Sequence, residues 1–204
     1  MTWETIGSEE RDGLNVALNE ARWLGIRVDV ETHRTALLLD VLALPSEGPA
    51  PANAPVVVAV NRVTRIAASL RNGWWSDTAA EVVAVALEEL DDTVRSFGGC
   101  PIYGWEFIDP PEESWTHWRE RLSLDVTLSK QTSPHVLELF QEGGSAAPRH
   151  LDLRVWFDQI DISTPDRHNL PLVDFIAAGV CWWNAMYADD PRTHGRGIFP
   201  LRDD

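Results

Sequence analysis

In "RHLDLRVWFD" the residues His150, Asp152, Arg154, Trp156 and Asp158 occupy every second position. In an extended chain they leave one face of a strand, while Leu151, Leu153, Val155 and Phe157 leave the other. An indole among acids and bases on a sheet face has the make-up of a recognition patch, the ring supplying contact area and the charges fixing orientation. His150 and Asp152 are also the one His/acid pair at ligand spacing and could share a metal, but a surface ion pair is expected and no metal.

A second stretch, "YGWEFIDPPEESWTHWRE" from Tyr103 to Glu120, concentrates aromatic rings and carboxylates. Period-2 alternation through residues 102 to 108 predicts a strand that sets Glu106 on the same face as Ile102 and Ile108. A carboxylate so placed must find an arginine, a backbone donor or a proton, which makes Glu106 the one candidate for a perturbed general acid or base. If Trp74, Trp75 and Asp77 converge on Tyr103, Trp105 and Glu106, the result is an aromatic and acidic pocket. Such a pocket would suit a small-molecule enzyme or a carbohydrate-binding protein, because flat indoles stack on sugar faces beside hydrogen-bonding acids.

Other chemistry is missing from the sequence. There is no HExxH, CxxC, phosphate-cradling Gly/Lys loop or nucleophile elbow, and no cofactor is expected. Two cysteines, Cys100 and Cys181, are too few for a disulfide framework. Thirty-two acids against 17 bases give a formal charge of −15 with no basic cluster, which argues against nucleic acid and anionic membranes and would steer a basic protein inward. Lys130 is the only lysine, an arginine bias that with abundant Ala, Pro and Gly suggests a high-GC bacterial genome. The start, "MTWETIGSEERDG", lacks a positive-then-apolar leader and no stretch has the length of a membrane span, so a cytoplasmic location is expected.

The elements that must position these residues can be read from periodicity. "WLGIRVDV" alternates; "ALLLDVLAL" and "PVVVAV" are apolar on both faces and predict central strands. Leu87, Leu90, Val94 and Phe97 predict a helix stopped by Gly98 and Gly99, while residues 80 to 86 read equally as strand or helix. Asp109 as N-cap, with two prolines behind it, predicts a helix whose inner face is Trp115, Trp118 and Leu122. Leu172, Phe175, Ile176, Gly179, Trp183 and Met186 form the stripe of a last helix. "PVVVAVNRVTRIAAS" and "RHLDLRVWFDQIDIS" each read as a long strand bending near its middle.

The first 70 residues, with "ALLLDVLAL", a Pro-rich break and "VVVAVNRVTRI", together with the acidic total, resemble small cytoplasmic immunity-type proteins of bacterial toxin systems. The resemblance implies a non-catalytic β-rich protein that binds and neutralises a basic partner, and it transfers no functional residue. The expected fold is α+β: a mainly antiparallel sheet of about seven to nine strands with about three amphipathic helices packed mainly on one side. One globular domain is expected over residues 1–188, followed by an irregular tail over 189–204.

Overall fold

The computed structural model describes residues 6–143 and 147–195. The fold is α+β, with ten antiparallel strands in two sheets and four α-helices among the described residues. One sheet has the order β1 (Arg22–Asp29), β2 (Arg34–Asp40), β3 (Pro55–Asn61), β9 (Gln159–Ser163), β10 (Asn169–Leu170). The other runs β5 (Glu81–Val83), β4 (Arg65–Asn72), β8 (Arg149–Phe157), β7 (His135–Gly143), with β6 (Leu124–Thr127) also pairing β4. The two apolar runs are indeed central, since β2 and β3 each have a neighbour on both sides.

Two long bent strands join the sheets. The chain passes from β3 to β4 through Arg62, held at a left-handed φ of 53°, and returns from β8 to β9 at Asp158. The two bent units pair with each other throughout, β3 with β9 and β4 with β8. A strand pair that changes sheets at a bend makes the corner of a sandwich. Leu37, Val58 and Ile162 from one sheet meet Ile66, Leu139, Leu153 and Val155 from the other in one dry core.

Helices α1 (Ser8–Leu18), α2 (Leu90–Arg95) and α4 (Leu172–Tyr187) contribute Leu14, Val94 and Phe175 to this core. The sequence reading missed α1, whose start is marked by Glu10 accepting from the backbone N–H of Gly7 at 3.0 Å. It crosses α4 where Gly179 meets Ala17, so closely that a Cβ on Gly179 would lie 2.6 Å from Ala17 Cα. The ambiguous residues 80–86 contain β5 and then irregular chain leading to a 3-10 turn at Leu87–Glu89, which opens α2. The C-terminal segment carries a 3-10 turn at Pro191–Thr193, with Arg192 bonded to Asp190 and to the carbonyls of Pro45 and Gly48. Residues 196–204 of the expected tail, and 144–146 of the β7–β8 connection, lie outside the described residues. No helix among the described residues is long and apolar enough to cross a membrane.

Helix α3 (Glu112–Trp118) lies apart from the others, on the outer face of the β4/β8/β7 sheet, where Trp115 and Trp118 pack on Ala67 and Trp156. Its N-cap is Pro111 rather than Asp109. Asp109 instead accepts from the backbone N–H of Val136 at 2.8 Å and meets His135 Nδ1 at 3.0 Å, tying the entrance of α3 to β7.

Candidate functional site

Alternation along β8 does put His150, Asp152, Arg154 and Trp156 on one face, opposite Leu151, Leu153, Val155 and Phe157. That face is covered, however, where the sequence reading left it open: α3 and the loops at 73–80 and 103–107 roof it, leaving Arg154 3% exposed and His150 fully buried. Trp156 packs edge-on against Trp115 at 5.3 Å, with the Arg65 guanidinium 4.8 Å and the Arg154 guanidinium 5.5 Å from its ring centre. The expected recognition patch is therefore largely covered, a layer of packed indoles and guanidinium groups in which Trp156 is half-buried. Asp158 lies past the end of β8, 3.9 Å from Arg62. His150 and Asp152 do not share a ligand, since His150 Nδ1 bonds the Gly73 carbonyl at 2.9 Å and Asp152 is held by Arg71.

Glu106 is exposed, which corrects its assignment as a buried acid. Ile102 bridges to Gln141 and Ile108 to Leu137, so five residues, 103 to 107, lie opposite three on β7. The excess must leave the sheet, and Gly104, with φ of 136°, turns it outward. Tyr103 and Gly104 thereby reach the rim of a cleft, while Glu106 is left exposed outside it.

That cleft, of about 500 Å³, lies between α3 and the sheet. Its floor is Arg71 from β4, Asp152 from β8, and Glu138 and Phe140 from β7; Trp118, Ser114, His117 and Glu113 of α3 form one wall, and Trp75, Tyr103 and Gly104 the mouth. Of the residues expected in an aromatic and acidic pocket, Trp75 and Tyr103 are brought together. Trp74, Asp77, Trp105 and Glu106 are not: Asp77 accepts from the N–H of Ala79 at 2.9 Å, shaping its own turn. Trp75 is seated by its backbone N–H donating to Glu142 at 2.9 Å, two residues after Gly73, whose bond from His150 anchors the same loop.

Sequence reasoning missed Arg71, Glu113, Trp118, Glu138 and Phe140 as site residues. The signal for Arg71 and Glu138 is a charge on an otherwise apolar strand, "IAASLR" and "HVLELF". What brings them together is register: β4 residue Ser69 and β7 residue Phe140 both pair with Asp152. Arg71 and Glu138 then flank Asp152 as diagonal neighbours on one face.

The floor is electrostatically tense. Arg71 is 2% exposed and its Nη2 donates to Asp152, while its Nε has no hydrogen-bond acceptor among the described residues. Burial pushes Asp152 up to about 7 despite the opposing pull of Arg71. Burial likewise raises Glu138, with Ser114, Arg154 and Trp118 working against it, and lowers His150, which keeps the ring neutral and Nδ1–H donating to Gly73.

A raised folded-state value means that the stability Asp152 contributes is fully present below its ordinary 3.8 and is lost as pH rises through about 7. Melting temperatures of the native chain and of Asp152→Asn, compared between about pH 5 and pH 8, should diverge in that direction, the native chain losing more on the alkaline side. Parallel curves would show that Asp152 titrates normally.

Fold and site together define an α+β protein of two corner-joined antiparallel sheets, with a polar-floored, aromatic-walled cleft on one outer face. No protein-family model, curated protein or solved structure matches this chain.

Proposed function

We propose that the chain is a non-catalytic carbohydrate-binding protein that takes a sugar ring into the cleft beneath α3. The observation that carries this reading is the pairing of donors and acceptors on one floor below aromatic walls: Arg71 with a free Nε–H, beside Asp152 and Glu138. A sugar hydroxyl both accepts and donates, so one such group meets the arginine and a carboxylate at once. An ammonium or guanidinium ligand accepts nothing and leaves the buried Arg71 donor unsatisfied, at a cost of about 1–3 kcal/mol. Both acids of the floor are also engaged by arginines, Asp152 by Arg71 and Glu138 by Arg154 at 3.4 Å, so they are suited to orienting hydroxyls rather than to shuttling protons.

The test is titration of purified protein with a saccharide panel, followed by Trp75→Ala. Trp75 is 54% exposed, so its loss leaves the fold intact, and affinity should fall about tenfold or more. A panel without any binder, or an unchanged affinity in the variant, would refute the reading.

A second reading, the neutralisation of a basic protein, is supported by the formal charge of −15 and by exposed Trp74, Trp75 and Trp105 in the loops of the mouth. It is the function that an immunity-type resemblance implies. Association would then be strongly salt-dependent, which saccharide binding would not be.

A further inference from the structure

The 103–107 loop carries aromatic surface beyond the cleft. Tyr103 is at the mouth; two residues on, a distance of at most about 7 Å along the backbone, Trp105 is 66% exposed. Its ring is 5.9 Å from that of Trp183 on α4, and Trp183 is in turn 6.1 Å from Tyr187, which is 68% exposed. Trp183 itself is buried, so it serves as a support on which two outward-facing rings rest. Trp105 has left the sheet with the rest of its loop and packs on α4 instead. Two exposed rings on one buried support, beside the loop of the mouth, form an apolar outer surface of the kind that marks a contact site.

We infer that the ligand is a linear oligosaccharide, with one ring in the cleft and the chain continuing over Trp105 and Tyr187 as outer subsites. The inference rests on the reading of the cleft as a sugar site. A single pyranose contacts Trp75, Trp118 and Tyr103, and its glycosidic neighbour leaves by the mouth, where Gly104 adds no side chain to obstruct it. The next rings meet the exposed rings of Trp105 and Tyr187, and an outer subsite that acts by stacking adds affinity with length and little selectivity for sugar identity. The strip fits an extended chain better than a globular partner because its rings follow one another from the mouth across α4 instead of clustering around a centre.

The experiment is calorimetric titration with one- to six-ring series of malto-, cello- and chito-oligosaccharides, using the native chain, Trp105→Ala and Tyr187→Ala. Affinity should rise with length in the series that binds. Trp105→Ala should reduce the affinity for chains of four or more rings about tenfold while leaving the single-ring affinity unchanged. Both side chains are exposed, and unchanged melting temperatures would confirm that the variants keep the fold. Binding of single rings with no gain on lengthening, or long-chain affinity insensitive to both substitutions, would overturn the extension while leaving the cleft as a sugar site. Failure of every saccharide to bind would overturn both.

Discussion

Asp152→Ala should destabilise the fold by about 3–5 kcal/mol, the loss expected when one partner of a buried ion pair is removed and the other stays behind. Arg71 is 2% exposed, and among the described residues Asp152 is the side chain that pairs with it. Burial disfavours its positive charge, and the nearby carboxylate of Asp152 is what opposes that. The remaining neighbours worsen matters, because Arg121 is close enough to act on both Arg71 and Asp152. Replacing the pair together, as Arg71→Met with Asp152→Leu, removes both charges and should recover most of the stability while abolishing ligand binding. Chemical denaturation of the native chain and these two variants measures this directly. A single variant that loses less than about 1 kcal/mol would mean that Arg71 is solvated through the cleft and that the pair is not a structural element.

The contrast between β8 and its surroundings shows what a single sequence carries. Alternation from His150 to Phe157 assigned every side chain to its correct face, because the period of a strand is a local property of the backbone. Whether the polar face meets water depends on where α3 lands, some 35 residues earlier in the chain, and no local rule contains that. Charge on a sheet face predicts solvent only when nothing apolar covers it; here Trp115 and Trp118 do, and Arg154 and Arg65 stack on indoles while pairing with Glu138 and Asp125. The same logic explains Glu106. Its strand-like alternation is real at Ile102 and Ile108, which do bridge β7, but five residues against three cannot stay in register. A two-residue excess is invisible until the partner strand is known. The bent strands were legible for the opposite reason: "VNRVTR" and "FDQID" each interrupt a strand pattern, and such an interruption is local. The site residues Arg71, Glu138 and Asp152 come from three strands. Their meeting is a fact of pairing register, and it lay beyond the sequence for the same reason that the roof did.

Trp118→Ala should have the other large effect, about 3–5 kcal/mol, and for a reason that ties stability to the site. Helix α3 has seven residues, well short of the ~12 that make an isolated helix even marginal in water. It exists because two indoles pin it to the sheet: Trp118, 2% exposed, meets Trp115 edge-on at 4.7 Å, and Trp115 meets Trp156 in the same way. Removing the first indole leaves a cavity against Ala67 that seven residues of helix cannot collapse to fill without losing their own hydrogen bonds. The loss should therefore be local before it is global. Hydrogen exchange should show the amides of residues 112–119 losing protection while those of β4 and β8 keep it, and saccharide affinity should vanish with the wall of the cleft. Trp118→Phe, which keeps most of the ring, should retain the helix and weaken binding only in part. If residues 112–119 stay protected in the alanine variant, α3 is held by Asp109 and the Pro110–Pro111 turn rather than by its indoles, and the cleft has a roof that does not depend on its floor.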